Sequence, residues 1–257
     1  QAILAQEPTA AAPARTLRIE MSILAPTPAH DASATGQVGE PSAPQADVVS
    51  LGFLLRTGRF ADYVMLMGGI CVCWLSVTLP QPYLNPWAQA HGVTAAQVGV
   101  LFASQPFACA LVQPVVPWMG RHCGQSVLMA TGLLLSAASL VCFALTPAMG
   151  LRSGSPLFAV LCSAAWLAGV GEGVVETTTY TIVQQRFGDV LCQMAGHTET
   201  WVGVGTMLGP FLGGALFSAG GFSLPPSVIS ALLLAIAAVL LARSGSCRRS
   251  PRHLGRQ

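Results

Sequence analysis

Six predominantly apolar stretches of about 20 residues follow one another between Tyr63 and Ala242. A helix needs about 20 apolar residues to cross the hydrocarbon core of a bilayer. Because lipid offers no hydrogen bonds to the backbone, a segment of this length that crosses it is expected to be helical. We therefore predict an all-α membrane protein with six transmembrane helices. The predicted spans are Tyr63–Leu84, Ala96–Met119, Ser126–Leu145, Pro156–Val183, Thr200 (or slightly earlier) to Ala219, and Leu224–Ala242.

The charge content agrees with a chain that is largely embedded in lipid. Only 9% of the 257 residues are charged and 53% are hydrophobic, whereas a soluble domain carries about 25% charged residues. The lipid bilayer is therefore the first predicted partner. A net charge of +2 gives no reason to expect nucleic acid as a partner.

Three segments are predicted along the chain. Residues 1–57 are rich in Ala, Pro, Ser and Thr without apolar periodicity, which is typical of a disordered tail. Residues 58–243 form the six-helix transmembrane bundle, and residues 244–257 form a basic tail. The chain begins with Gln1 instead of Met, which favours a fragment of a longer protein.

The arginines are distributed unevenly between the two ends of the predicted spans. With six spans, eleven of the twelve basic residues lie on the side of both termini, and Arg152 is alone on the other side. Basic residues flank the cytosolic ends of membrane helices. We therefore predict a multi-pass protein with both termini, and both tails, in the cytosol. Whether the membrane is vesicular, vacuolar or the plasma membrane is left open by the sequence.

A short pattern occurs twice with the same internal spacing. Val98-Gly99-Val100 and Pro106-Phe107 in the second predicted span recur as Val202-Gly203-Val204 and Pro210-Phe211 in the fifth, 104 residues later. Three-plus-three inverted repeats of helices occur in secondary transporters. The pattern favours such a repeat, although matches of this kind can also arise by chance in a sequence rich in Gly and Val.

The fifth predicted span carries a row of glycines. Gly205, Gly209 and Gly213 recur every four residues, so they form one stripe without side chains, which allows close approach of another helix. Pro210 removes a backbone donor and is expected to bend the helix.

These residues carry a resemblance to a known family. Glu199, Gly203, Gly205, Gly209-Pro210 and Gly213-Gly214 resemble the fifth-helix motif of drug/proton antiporters in the major facilitator superfamily. The stretch 196–222 resembles the vesicular amine and polyamine transporter branch. The resemblance implies the N-terminal six-helix half of a major facilitator fold. It also implies exchange of an organic cation for protons, and a packing or gating role for the glycine and proline positions.

The segment between the second and third predicted spans matches the family only in part. The family has a Gly, an acidic residue, an Arg and then Gly-Arg in this cytosolic loop. Here Gly124 matches, His122 takes a basic place, and Arg121 stands where the acid is expected. The resemblance therefore predicts a gating loop with an altered charge pattern.

Acidic residues within the predicted spans are candidates for the transport path. Glu172 and Glu176 are four residues apart and therefore share a helix face. Ionisable residues within a membrane helix are costly and usually face an interior cavity on an ion or substrate path. Glu199, Gln105 and Tyr180 are predicted to join this substrate and proton path. Alternatively, Glu176 is hydrated near the cytosolic end, Glu199 is a helix-start carboxylate, and Gln105 compensates backbone groups freed by proline.

The predicted function is secondary transport of a small organic solute, either a cationic amine or a drug-like compound, in exchange for protons by alternating access. Catalytic Ser–His pairs, HExxH and metal-binding clusters are not found in the sequence, so we predict no enzymatic activity and no cofactor. The alternative is a truncated or non-transporting six-helix protein. Such a protein would pair with another half, form a homodimer or act as a scaffold.

Overall fold

The computed structural model describes residues 59–150 and 154–248, with side chains up to Ser244. Within these residues, six helical segments are long and apolar enough to cross a membrane, which confirms the predicted number. We call them spans 1 to 6: Phe60–Ala90, Ala95–Val112, Gln125–Met149, Gly154–Arg186, Gly188–Gly220 and Leu224–Ser244. The predicted disordered tail at residues 1–57 lies outside the described residues.

Prolines explain where the helices are interrupted. Span 1 consists of two α-helices, Phe60–Thr78 and Gln81–Ala90, and therefore extends six residues beyond the predicted end at Leu84. The second predicted span is divided into Ala95–Val112 and a connecting helix, Val116–Cys123. Proline lacks the N–H that would continue a helix, and Pro80 and Pro114 stand at the two breaks.

The last two spans are longer than their apolar segments. The helix in span 5 is Leu191–Gly220, and its first turns contain polar residues that an apolar window excludes. The last helix is Leu224–Arg248 and continues into the segment predicted as a basic tail. Span 3 has its α-helix at Gln125–Leu145 and span 4 at Gly154–Arg186, both within three residues of the predicted bounds.

The neighbouring spans of the bundle form pairs that correspond to each other in the two three-helix repeats. Span 1 lies along span 5, and span 2 lies along span 4. Span 3 packs against spans 4 and 6. In the repeat, span 1 corresponds to span 4 and span 5 corresponds to span 2. The pair of spans 1 and 5 is therefore equivalent to the pair of spans 4 and 2, as expected for half of a major facilitator fold.

The glycine row of span 5 lies directly on the backbone of span 1. A Cβ added at Gly205, Gly209 or Gly213 would overlap atoms of span 1. The carbonyl oxygens concerned belong to Cys71, Leu75 and Leu79. Both rows advance by four residues in the same direction, so the two helices are parallel and in close backbone contact.

Spans 2 and 4 make a contact of the same kind, but here the glycines lie on span 4, the repeat equivalent of span 1. Gly169 and Gly173 of span 4 lie on the carbonyl oxygens of Gln105 and Cys109 in span 2. Gln105 and Cys109 are 104 positions before Gly209 and Gly213, the same offset as in the sequence repeat. The two halves of the bundle therefore share one contact geometry, with span 5 contributing glycines in one pair and span 4 in the other.

Charged side chains join the span ends at one end of the bundle. The carboxylate of Asp62, in span 1, binds the guanidinium groups of Arg186 in span 4 and Arg243 in span 6. Arg59 lies 3.8 Å from Asp189 at the start of span 5. This clustering agrees with the arginine asymmetry in the sequence. The cytosolic orientation itself stays a prediction.

Candidate functional site

Span 4 carries a row of polar side chains along one face. Glu172, Glu176 and Tyr180 follow one another at four-residue intervals, each about 6 Å further along the axis. Glu172 lies near the middle of this 33-residue helix and is only 6% exposed. Glu176 and Tyr180 are half-buried. The row therefore leads from the interior of the bundle towards the end that carries Asp62 and the arginines.

Side-chain amides from span 2 hold the two carboxylates. Gln105 Nε2 donates a hydrogen bond to Glu172 Oε2 at 3.2 Å, and Gln113 Nε2 donates to Glu176 Oε2 at 3.1 Å. Cys109 Sγ lies 4.0 Å from the same oxygen of Glu176. Because the backbones of spans 2 and 4 are in contact at Gly169 and Gly173, these side chains face each other along the flank of the contact.

The amides orient the carboxylates without neutralising them. Among the described residues, the ion pairs involve Asp62 and Asp189, and no basic side chain binds Glu172 or Glu176. A charged carboxylate at membrane depth is costly unless a partner compensates its charge. The two carboxyl groups are therefore suited to hold a proton or a cationic ligand.

A third acidic residue lies further along the row. The Tyr180 hydroxyl donates a hydrogen bond to Glu199 of span 5, and Glu199 is exposed. This bond connects span 4 to span 5 one turn beyond Glu176. The structure thus brings all five residues of the predicted path into one continuous row. Whether they form a transport path stays a prediction.

The glycine motif of span 5 divides into two faces. Gly205, Gly209 and Gly213 are buried against span 1, whereas a Cβ added at Gly203 or Gly214 would meet open space. Pro210 lies within an uninterrupted helix. Of the glycines in this motif, only Gly205, Gly209 and Gly213 have the geometry of a packing contact within the described bundle. The gating role of the motif stays a prediction.

The residues predicted for a cytosolic loop lie mainly on the connecting helix. Arg121 and His122 occupy its last turn and are exposed. His122 Nδ1 is hydrogen-bonded to the Trp118 carbonyl oxygen at 3.0 Å. Gly124 ends this helix with φ +83°, a conformation that favours glycine. These residues are far along the chain from Glu172, and no contact in the described structure joins them to it.

Sequence reasoning assigned only Gln105 of span 2 to the path and missed Cys109 and Gln113. The three residues are spaced by four, the same interval as Glu172, Glu176 and Tyr180. This matched spacing was a usable signal, because two parallel helices in contact bring residues of equal spacing together. It required knowing that spans 2 and 4 are neighbours.

Six bilayer-length helices, with paired carboxyl groups on an inner helix, place the chain among multi-pass helical membrane proteins of the transporter class. The Major Facilitator Superfamily profile matches residues 66–256, and the chain belongs to this superfamily. This match confirms the family resemblance seen in the sequence.

Curated relatives agree with this assignment at low identity. The chain is 21% identical over 163 residues to the MFS-type transporter SLC18B1 of Mus musculus, covering 63% of this chain and 35% of that protein. It is 22% identical over 154 residues to the MFS-type transporter SLC18B1 of Homo sapiens, covering 60% and 33%. The matched region therefore spans about a third of the length of these relatives.

Proposed function

We propose that this bundle is one six-helix half of a secondary transporter that exchanges a small organic cation for protons. The observation that carries the proposal is the environment of Glu172. It is buried near the middle of span 4, and its bonded side-chain partner in the described structure is the neutral amide of Gln105. Membership of a transporter superfamily supports solute transport in general, because members of this superfamily move solutes across membranes.

Exchange follows from the charge at Glu172. A carboxylate at membrane depth needs compensation of its charge. A proton or an organic cation supplies this compensation, and a carboxyl group that has taken up the proton no longer attracts the cation. Binding of one therefore releases the other, which is the coupling that an antiporter requires.

The row on span 4 gives the protons and the cation a route. Glu176 lies one turn from Glu172, and the Tyr180–Glu199 pair lies one turn further. Gln113 orients Glu176 as Gln105 orients Glu172. We infer that a ligand moves along these three acidic positions between the interior and the arginine-rich end.

Alternating access would use the two glycine contacts as rigid units. Backbones packed this closely move together, and transport in this fold proceeds by rocking of helical bundles around a central site. Met207 and Phe211 of span 5 are 71% and 72% exposed in the bundle. We infer that this exposed side of span 5 faces lipid or a second six-helix unit, which is either the other half of a longer protein or a second copy.

Uptake into proteoliposomes tests the function. Because the chain matches about a third of its relatives' length, the assay uses the complete gene product. A panel of radiolabelled organic amines is offered with and without a pH gradient. We expect gradient-dependent uptake that Glu172→Gln abolishes and that Gly99→Ala in span 2, at a position with open space, leaves unchanged. Uptake that is independent of the gradient, or unaffected by Glu172→Gln, would reject the proposal.

The alternative of a non-transporting six-helix protein gives a different result. Such a protein would show no uptake of any amine, while remaining a monodisperse six-span bundle. Crosslinking would then identify a second copy or another protein against Met207 and Phe211. This outcome favours a scaffold or pairing role.

The proposed orientation places both termini in the cytosol. Two single-cysteine variants test it in sealed cells, each made in a background whose native cysteines are replaced by serine. Ser244→Cys lies near the end of span 6, and His91→Cys lies at an exposed position between spans 1 and 2. A membrane-impermeant thiol reagent applied outside should label the His91→Cys variant and spare the Ser244→Cys variant. The reverse labelling would invert the assignment.

A further inference from the structure

A second polar region lies at the end of the bundle where spans 1, 3, 4 and 6 meet. It is a cavity of about 570 Å³, separate from the row on span 4. Its polar lining includes Asp62, Gln125, Ser126, Arg186 and Arg243. Its apolar lining includes Met65, Leu66, Met129, Ile182 and Leu240. The cavity therefore presents charged groups at the end of the spans and hydrocarbon below them.

The charged groups leave an excess of positive charge. Arg186 and Arg243 both bind the carboxylate of Asp62, one on each oxygen. Two guanidinium groups against one carboxylate give a net charge of +1. The arginine side chains are 46% and 47% exposed, so their remaining N–H groups are available to a further anion. Arginine matches the oxygens of phosphate in geometry as well as charge.

The start of span 3 adds backbone donors to the same cavity. Its first residues, Gln125, Ser126 and Val127, line the cavity, and the helix has no side-chain cap. The first N–H groups of a helix lack partners within it and attract anions. The two arginines and this helix start therefore face one space.

We propose that this cavity binds the phosphate headgroup of an anionic phospholipid. An anion of charge −1 would balance the two arginines and Asp62, and the apolar walls would contact the acyl chains. A soluble phosphate would use the arginines but leave these walls without a partner. The chain continues with Arg248, Arg249, Arg252 and Arg256, and basic clusters beside a membrane helix attract anionic lipid surfaces. This lipid site does not depend on the proposed transport function.

Native mass spectrometry of the full chain in detergent tests the site. The probes are phosphatidylglycerol, which is anionic, and phosphatidylcholine, which carries the same phosphate with a compensating cation. We expect preferential binding of phosphatidylglycerol. Loss of one charge-assisted contact should weaken this binding about tenfold in Arg243→Gln or Arg186→Gln. The matched control is Arg121→Gln, because Arg121 is exposed but does not line the cavity.

Three further variants separate lipid binding from a purely structural role of the arginines. Asp62→Asn breaks the same ion pairs but removes the competing carboxylate, so phosphatidylglycerol binding should become tighter. Ser126→Asp keeps Asp62 and both arginines and places a carboxylate at the helix start, so binding should become weaker, whereas Ser126→Ala should leave it unchanged. A decrease in Asp62→Asn, or equal binding in Arg243→Gln and Arg121→Gln, would overturn the proposal.

A competition arm distinguishes the two sources of a phosphate group. Inorganic phosphate is added in large excess over phosphatidylglycerol. We expect no displacement, because the acyl chains contribute to binding. Displacement by inorganic phosphate would assign the cavity to a soluble anion and overturn the lipid site.

Discussion

The contact between spans 1 and 5 and the contact between spans 2 and 4 are built alike but carry different side chains. In both pairs, parallel helices approach through glycines that lie on carbonyl oxygens of the partner. Beside the first contact, Thr78 donates its hydroxyl hydrogen bond to its own helix, at Trp74 O. Beside the second contact, Glu172 and Glu176 meet the amides of Gln105 and Gln113.

This difference shows how one packing arrangement can serve two purposes. The glycines bring backbones together without using side chains, so the neighbouring positions of each helix are free to vary. Thr78, which lies at the contact with Gly209, is 94 positions before Glu172. The same offset relates Leu75 and Leu79, on which Gly209 and Gly213 lie, to Gly169 and Gly173. The first pair therefore serves mainly to pack the bundle, and the second also holds the candidate site.

The largest expected effect is on the packing contact itself. In the double variant Gly205→Ala/Gly213→Ala, each added Cβ would overlap a carbonyl oxygen of span 1. Each is expected to lower the free energy of unfolding by about 1–3 kcal/mol. The measurement is thermal unfolding in detergent, and Gly203→Ala/Gly214→Ala on the same helix is the control. Equal stability of the two double variants would show that spans 1 and 5 are not packed as described.

The next effect tests whether the two contacts are equivalent. Gly169→Ala places a Cβ on the carbonyl of Gln105 and should lower the free energy of unfolding by about 1–3 kcal/mol, as much as Gly213→Ala. Gly99→Ala in span 2, where nothing lies within 4 Å, should have little effect. A loss of stability in Gly213→Ala without a similar loss in Gly169→Ala would show that the two contacts are not equivalent.

A third prediction concerns the side chains that distinguish the pairs. Gln105→Leu leaves the buried Glu172 without its amide donor and should cost about 1–3 kcal/mol of stability. Gln113→Leu should cost less, because Glu176 is half-buried and water can replace the lost donor. Chemical unfolding of both variants in detergent gives the difference. A larger loss in Gln113→Leu would place the more buried carboxylate at Glu176.

The smallest effect is expected at the exposed end of the row. Tyr180→Phe removes the hydroxyl that binds Glu199, and because Glu199 is exposed the cost should be near the lower limit of about 0.5 kcal/mol for a hydrogen bond. Uptake, in contrast, should slow measurably if the pair is part of the route. Unchanged uptake in Tyr180→Phe would show that the route does not extend beyond Glu176.

Much of the fold follows from the sequence because it depends on local composition. The six apolar stretches determine the number of spans, since each must be long enough to cross a bilayer. The spacing of Gly205, Gly209 and Gly213 predicted a close helix contact. Helix ends were less predictable: the α-helix of span 5 begins at Leu191, nine residues before Thr200, because polar residues such as His197 and Thr198 are still helical.

The candidate site was only half predictable. Glu172 and Glu176 are evident because acidic residues are rare within apolar stretches. Their partners Gln113 and Cys109 depend on which span lies beside span 4, and neighbour relations between helices are not encoded in local composition. Likewise, Asp62 reads as a residue at the start of the first helix, and only the structure joins it to Arg186 and Arg243.

Proton release on substrate binding tests the central claim most directly. The complete gene product is held in weakly buffered detergent solution, and an amine identified by the uptake assay is added while the pH is recorded. We predict that binding to the wild-type protein releases protons and that Glu172→Gln binds without release. Equal proton release from Glu172→Gln, or binding to the wild-type protein without any release, would contradict the role of Glu172.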